Sequence, residues 1–260
     1  MKENTVTLDG KKTTNQNSNQ QNVQQNNHAV IILASGLSRR LGQAKQLLCK
    51  NGEPLIGYMI KLAASTNPKI IIIVIPKGGT SIASKVAALS YEHLTVKTII
   101  NQTPETGMGY SLAIGIEALA HFNNNKDSNR EAVKRVLIMG VDQVLLDKKH
   151  LIALLADNHA VVASRYAKGN HGQSVDKKDT IEQPKKNIIG LPLVIDYQLL
   201  KQWQPTLSGD KGLRHLIRAL PPHQLTAVMN LNLSYDIDTP EQLAYARQQG
   251  WVDAALGDNT

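Results

Sequence analysis

The chain has 260 residues, 42% of them hydrophobic and 4% aromatic, and 29 Lys and Arg against 21 Asp and Glu give a net charge of +8. A lone cysteine, Cys49, excludes an internal disulfide framework and points to a reducing compartment. No apolar run approaches the roughly 18 residues of a membrane span, and the start of the chain lacks the apolar core of a signal peptide, so a cytoplasmic protein with no membrane partner is expected.

From Asn15 to Asn27 nearly every residue is Asn or Gln. Such a tract has little apolar surface to offset the entropy of ordering, so residues 1–27 are expected to be a disordered tail. The texture changes at His28. Ala29–Leu33 is an apolar run ending in a glycine-rich turn, the form of a buried parallel strand. Ile56–Ala64 follows as helix, Ile70–Ile75 as strand, Ser81–Leu89 as helix and Thr95–Ile100 as strand. Ser111–Ala120 reads as a helix with Ser111 as its N-cap, Val136–Val141 as strand, Lys148–Ala156 as helix and Ala160–Ala163 as strand. Alternating strands and helices, with strands apolar on both faces, predict a parallel α/β sheet in one domain over residues 28–250, with 251–260 as a C-terminal tail. Two polar stretches interrupt the alternation: Asn123–Glu131, and the basic insertion Tyr166–Asn187, which is either a solvated loop or an attractor of phosphorylated substrate.

The segment after the first strand, Leu33-Ala-Ser-Gly-Leu-Ser-Arg-Arg-Leu-Gly-Gln-Ala-Lys-Gln-Leu-Leu48, carries the most chemistry. Ligands of open α/β sheets bind beyond the carboxyl ends of the strands. Gly36 and Gly42 would let the backbone approach a triphosphate, and Arg39, Arg40 and Lys45 would offset its charge, although Arg39 read alone is as well explained as a solvent-facing side chain. The spacing is not that of a Walker A loop, and no G-x-G-x-x-G dinucleotide fingerprint occurs in the chain.

This segment resembles the L-A-x-G-x-S-x-R-x-G-x-x-K-x-L signature of the MobA-like nucleotidyltransferases, a group that includes the molybdenum cofactor cytidylyltransferases and guanylyltransferases. Leu33, Ala34, Gly36, Ser38, Arg40, Gly42, Lys45 and Leu47 carry the match, and Ser35 stands where relatives have Ala or Gly. The resemblance implies a Rossmann-like (GT-A-like), mostly parallel sheet flanked by helices, with nucleotide held by Leu33, Ala34, Ser35, Gly36, Ser38 and Gly42. Arg40 and Lys45 would then be catalytic, offsetting charge on the leaving pyrophosphate.

Further segments resemble the family in the same order. Glu105–Gly115 is similar to its G-M-x-x-S-L-x-x-G stretch, which implies that Gly107, Met108 and Ser111 hold base and ribose. Val136–Gln143 is an apolar strand ending in Asp142, a carboxylate that physics alone reads as a helix cap or a metal ligand. The resemblance favours a catalytic Mg2+ ligand, although Val144 replaces a proline common in relatives. Gly190-Leu-Pro-Leu-Val194 is similar to an acceptor-side segment, implying contacts from Gly190 and Pro192. Ser208–Arg214 resembles the G-D-x-G-x-R stretch of the cytidylyltransferase branch, with Asp210, Lys211 and Arg214 orienting a phosphate on the acceptor side or capping a helix. Asp236-Ile-Asp238-Thr-Pro-Glu-Gln-Leu243 looks like the family's D-I-D-T-P-E-D-L ending. Carboxylates alternating along a strand point the same way, and the resemblance makes Asp238 the second Mg2+ ligand with Asp236 beside it, while Thr239-Pro240 opens a helix.

Taken together, the resemblance implies transfer of CMP or GMP from CTP or GTP to a phosphorylated acceptor. The molybdenum cofactor is the favoured acceptor, with a molybdoenzyme or its maturation factor as a further partner. Sugar-phosphate or isoprenoid-precursor nucleotidyl transfer, a glycosyltransferase using Asp236 and Asp238, and a non-catalytic nucleotide-binding module remain alternatives. Eight histidines without an H-x-x-x-H pair disfavour zinc, Trp203 and Trp251 read as packing residues, and no nucleic-acid-binding motif accompanies the basic charge.

Overall fold

The computed structural model describes residues 27–89, 91, 93–124, 131–167, 187–209 and 212–254. The expected tail up to residue 26, nearly all of the basic insertion, Asp210 and Lys211 lie outside the described residues. Strand β1 (His28–Leu33) leads through the glycine-rich loop to a short hairpin, β2 (Cys49–Lys50) and β3 (Glu53–Pro54), and then to helix α1 (Leu55–Ala64). There follow β4 (Ile70–Pro76), α2 (Thr80–Ala87), β5 (Thr95–Asn101), α3 (Met108–Asn124), β6 (Arg135–Gly140), α4 (Lys148–Ala156) and β7 (Val161–Ala167). The chain continues with β8 (Asn187–Asp196), α5 (Tyr197–Trp203), α6 (Arg214–Arg218), β9 (Leu225–Met229) and α7 (Pro240–Gln248).

Seven strands form one sheet in the order β5-β4-β1-β6-β8-β7-β9. All neighbouring pairs are parallel except those made by β8, which runs antiparallel to both β6 and β7. The expected mostly parallel α/β sheet is therefore present. Its strands alternate between two cores. Val30 and Ile32 face α1, α2, α4 and α7, whereas Ala29 and Ile31 face α3, α5 and α6. Both strand faces are thereby dry, which is why β1 and β4 consist almost entirely of apolar side chains. Among the described residues no helix is long and apolar enough to cross a membrane.

The domain runs past residue 250. Val252 is buried, Trp251 packs edge-on against Tyr235 and Tyr245, and the Asp253 carboxylate accepts from the Asn51 and Gly52 amides. Trp203 packs on the opposite core, as expected of it.

His28 ties the first strand to the end of α1. Its Nε2 lies 2.9 Å from the Thr66 hydroxyl, which itself donates to the Ala63 carbonyl at 2.7 Å, so Nε2 is the donor. Burial, aided by the Arg135 charge, pushes the His28 pKa down to about 4. With the folded value below the unfolded one, the unfolded chain takes up the proton first as pH falls. The stabilisation is complete above the unfolded pKa of about 6.5 and is lost on descent through that value to about 4. The expected loss from this residue is about 3 kcal/mol, an order-of-magnitude figure. Urea unfolding at pH 7 and pH 4.5 should show it, with a flatter pH slope in His28→Gln; an unchanged slope would assign the loss elsewhere.

Candidate active site

The parallel strands end at one edge of the sheet. From β1 the chain moves outward to β4 and β5, and then crosses back to β6 on the other side of β1. The loops after β1 and β6 therefore part at a topological switch point, where open α/β sheets form their ligand crevice. A cleft of about 600 Å3 lies there, walled by the glycine-rich loop, the start of α3, the residues after β6 and the segment before α7.

The glycine-rich loop is held from below. Gln46, 1% exposed, donates its side-chain amide to the Ala34 carbonyl at 2.6 Å and the Gly36 carbonyl at 3.0 Å. The amides of Leu41 and Gly42 both donate to the Ser38 carbonyl, and the Lys45 amide donates to Ser38 Oγ at 3.3 Å. Gly42 supplies the turn with a φ of 75°, a conformation that costs glycine little. At Gly36 a Cβ would meet nothing within 4 Å, so the fold itself does not require glycine there and bare backbone faces the cleft. Ala34 and Gly42, both expected to touch nucleotide, do not line the cleft: Ala34 is buried in the core and Gly42 shapes the back of the loop.

Three buried polar side chains join this loop to the next. Ser111 Oγ donates to the Gly107 carbonyl at 3.2 Å, receives the Asn101 side-chain amide at 3.0 Å, and lies 2.5 Å from Ser35 Oγ. The one Ser111 hydroxyl proton is thereby used, so Ser35 is the donor to it. Helix α3 begins at Met108, three residues before the expected start, and Ser111 is consequently not its cap but a first-turn residue bonded back to position 107. Asn101 was not singled out by the sequence; its signal was an amide ending an otherwise apolar strand.

Lys45 is the centre of the charge distribution. Its Nζ donates to Asp142 Oδ2 at 3.3 Å and also bonds Asp238 Oδ1, while Arg40 reaches Asp238 Oδ2 at 2.8 Å. Burial alone would lower the Lys45 pKa, but the Asp142 and Asp238 carboxylates outweigh it and hold the value above that of a free lysine. Desolvation would raise Asp238, yet the bonds from Lys45 and Arg40 prevail and lower it. Asp236 behaves oppositely. It keeps an open face to the water of the cleft, but crowding by protein atoms desolvates it, and repulsion from Asp142 and Asp238 adds to this, pushing its pKa up to about 7. Residues 235–238 make no strand ladder, contrary to the alternating-strand reading, although both carboxylates line the same cleft.

The donor set suits a hard divalent cation. Mg2+ keeps several waters and needs one or two carboxylates plus substrate phosphates, and Asp142 with Asp238 supply two carboxylates already shared by one ammonium group. Among the described residues no three Asp, Glu, His or Cys side chains form a ready-made cage, and Asp236 lines the same cleft beside the Asp142 and Asp238 pair.

Similarity to known proteins places the chain in a family. The model of the MobA-like NTP transferase domain matches residues 30–225. The chain belongs to this family. A relative named nicotine blue oxidoreductase, from Paenarthrobacter nicotinovorans, is 25% identical over 215 residues, which is 82% of this chain and 93% of the relative. The 4-diphosphocytidyl-2C-methyl-D-erythritol synthase of Anaerococcus prevotii shares the fold, with a TM-score of 0.61 and 12% identity over 85% of this chain and 97% of that one. A Mycobacterium tuberculosis H37Rv protein crystallised with manganese has a TM-score of 0.56 and 18% identity over 84% of this chain and 96% of that one.

Of the residues expected to hold an acceptor, two take other parts in this MobA-like domain. Gly190 and Pro192 do not line the cleft; Leu191 between them does, and its carbonyl receives the Gln143 side-chain amide at 2.7 Å. A Cβ on Gly190 would lie 2.9 Å from the Tyr166 hydroxyl, so glycine there makes room for a tyrosine. Pro192 is buried and its carbonyl receives the Ser164 hydroxyl at 2.6 Å. Arg214 does line the cleft, as do Gly107, Met108, Ser111, Ser35 and Ser38. Val144, in place of the usual proline, is fully buried, and its carbonyl receives Lys50 Nζ. The sequence did not single out Gln143 or Tyr166 as cleft residues, each a polar side chain at the margin of an apolar strand.

Proposed function

We propose that this MobA-like NTP transferase moves a nucleoside monophosphate from an NTP, CTP first and GTP next, to a phosphorylated acceptor. The molybdenum cofactor in its pterin form is the favoured acceptor, for delivery to a molybdoenzyme or its maturation factor. The observation that carries the reading is the meeting of Arg40, Lys45, Asp142 and Asp238 beside the glycine-rich loop at the switch point. An acceptor phosphate oxygen would attack the α-phosphorus, the bond to the bridging oxygen would break, and pyrophosphate would leave.

The backbone at Gly36 and the Ser38 turn would cradle the phosphates. Arg40 and Lys45 would offset the charge that builds on the leaving pyrophosphate. Asp142 and Asp238 would hold Mg2+, which supplies Lewis-acid polarisation of the phosphate oxygens when bound. Gly107, Met108 and Ser111 would border the base and ribose. No nucleophilic side chain is needed, because the attacking oxygen belongs to the acceptor. A redox reading drawn from the name of the nicotinovorans relative has less support, since the chain carries no dinucleotide fingerprint and gathers charges suited to triphosphate.

The test is a melting-temperature screen with Mg2+ and CTP, GTP, UTP or ATP, followed by pyrophosphate release with a molybdopterin or sugar-phosphate acceptor. CTP should give the largest shift, and molybdopterin the faster release. Absence of any NTP-dependent shift would remove the transferase reading, and release only with glucose 1-phosphate would move the acceptor to the sugar class.

A further inference from the structure

Beyond β6, Asp142, Gln143 and Val144 are each held by a different element. Asp142 receives Lys45 Nζ from the glycine-rich loop, the Gln143 side chain donates to the Leu191 carbonyl of β8, and the Val144 carbonyl receives Lys50 Nζ from β2. Lys50 is committed to this contact. Glu53, its register partner across the hairpin, pairs with Lys61 instead, and among the described residues no carboxylate forms an ion pair with Lys50. Its ammonium lies 4.5 Å from the centroid of the Tyr58 ring on α1, so the charge is shared between one carbonyl and one aromatic face. The hairpin that carries Lys50 is itself fixed, because the Asp253 carboxylate accepts the Asn51 and Gly52 amides and the Asp253 amide donates to the Cys49 carbonyl at 2.8 Å. Val144, fully buried, is the second residue of a turn that the Leu146 amide closes on the Gln143 carbonyl at 2.9 Å.

Resting on the nucleotidyl-transfer reading, we infer that Lys50 is a positioning residue for the reaction: by holding the Val144 carbonyl it keeps Asp142 in place for the metal once Lys45 has turned to the phosphates. Lys45 cannot serve both ends. Without nucleotide it holds Asp142 directly, and when phosphate oxygens take its ammonium that bond is lost. The turn that begins at the next residue is then what still fixes the Asp142 backbone. The tolerance is small: a Cβ at Gly140 would lie 2.9 Å from Asp142 Oδ1, so the carboxylate is seated against the chain just before it. A charged donor makes the stronger bond to a carbonyl, and because Lys50 does not line the cleft, incoming phosphates do not compete for it. Proline at 144 would hold the turn by covalent means. The position is i+1 of the turn, where the fixed φ of proline is favoured, and among the described residues the Val144 amide has no acceptor to lose.

The experiment compares the full wild-type chain with Lys50→Met, which keeps an aliphatic stem but neither charge nor donor, with Val144→Pro, and with the double variant. Pyrophosphate release from CTP with molybdopterin, Mn2+ titration followed by electron paramagnetic resonance with and without CTP, and hydrogen exchange at the Leu146 amide are measured on each. Lys50→Met should lower kcat about tenfold with KM for CTP within about twofold, weaken Mn2+ binding about tenfold and speed Leu146 exchange about tenfold. Adding Val144→Pro should recover most of all three, and Val144→Pro alone should stay near wild type. Unchanged Mn2+ affinity in Lys50→Met overturns the assignment, as does a loss of affinity or kcat that Val144→Pro fails to recover. A lower melting midpoint with normal kcat and Mn2+ affinity also overturns it and leaves Lys50 as a contact of the fold alone. If the wild type releases no pyrophosphate from any NTP, yet Lys50→Met loses Mn2+ affinity and Val144→Pro restores it, the transferase reading fails while the hold on Asp142 stands.

Discussion

Replacing Asp142 with Asn is expected to reduce NTP-dependent pyrophosphate release by about 10²–10³-fold while leaving the thermal midpoint unchanged or higher. The substitution keeps shape and one acceptor oxygen but turns the other into an NH2 donor and removes one negative charge. In activity, the loss falls on a carboxylate at the switch point, 3.3 Å from the Lys45 ammonium, which would hold Mg2+ against the phosphates. In stability, the same change relieves a repulsion: Asp142 is among the groups that push Asp236 up to about 7. Lys45 keeps its bond to Asp238, so no buried ammonium is stranded. Asp238→Asn is the informative contrast. It should also lose turnover, but it weakens the bonds from both Lys45 and Arg40, so its midpoint should fall. A coupled pyrophosphate assay and a melting curve on the two variants give all four signs. Wild-type turnover in Asp142→Asn would leave that carboxylate with no part in the chemistry. The opposing signs would identify a cluster held at a cost in stability for what it binds.

The parallel half of the sheet was legible because parallel strands are dry on both faces and leave apolar runs, as in Ala29–Leu33 and Ile70–Ile75. Helix α4 lies about where the sequence placed it, and the structure shows Asp147 capping it, its carboxylate accepting the His150 amide at 2.8 Å. The antiparallel strand β8 was not read as a strand, since Gly190 and Pro192 interrupt its apolar run and proline argues against a central strand. The structure shows how it is tolerated. The β7–β8 register passes from Ala163↔Leu193 to Ser164↔Gly190, so Leu191 and Pro192 fall in an irregularity where no ladder amide is demanded. The pairing of β8 with β6 runs only from Leu193 to Asp196, just clear of the proline.

For the site, the letters of the glycine-rich loop were legible, but the electrostatics were not. Lys45 is 97 positions from Asp142 and 193 from Asp238, and only the crossing from β5 to β6 and the packing of α7 bring the three together. Local pattern cannot state which carboxylates a lysine will meet at such separations. The same holds for Gln46, an unremarked polar residue in the loop sequence whose buried amide fixes two of the loop's carbonyls.

Lys45→Ala should divide two properties that a simple loss of function would move together. Metal binding in the absence of nucleotide is expected to tighten by about tenfold or more, while kcat/KM for the NTP falls by about 10²–10³-fold. The reason lies in what the ammonium occupies. It bonds Asp142 and Asp238 at once, and those are the oxygens a divalent cation would need. The two carboxylates hold the Lys45 pKa above the ordinary lysine value despite burial, so the group is charged at any working pH and must be displaced rather than neutralised. A triphosphate would draw it away, since phosphate oxygens compete for the same donor, and the carboxylates would then be released to Mg2+. Removing the side chain frees the carboxylates permanently but leaves the leaving pyrophosphate without one of its cations. Electron paramagnetic resonance titration with Mn2+ and no nucleotide measures the first effect, and steady-state kinetics the second. The metal-free variant, with Asp142, Asp236 and Asp238 facing one another and Arg40 paired to only one of them, should also melt lower at low salt and recover with Mn2+. Weaker Mn2+ binding in Lys45→Ala would mean that the lysine organises the carboxylates for metal, rather than standing in the metal's place.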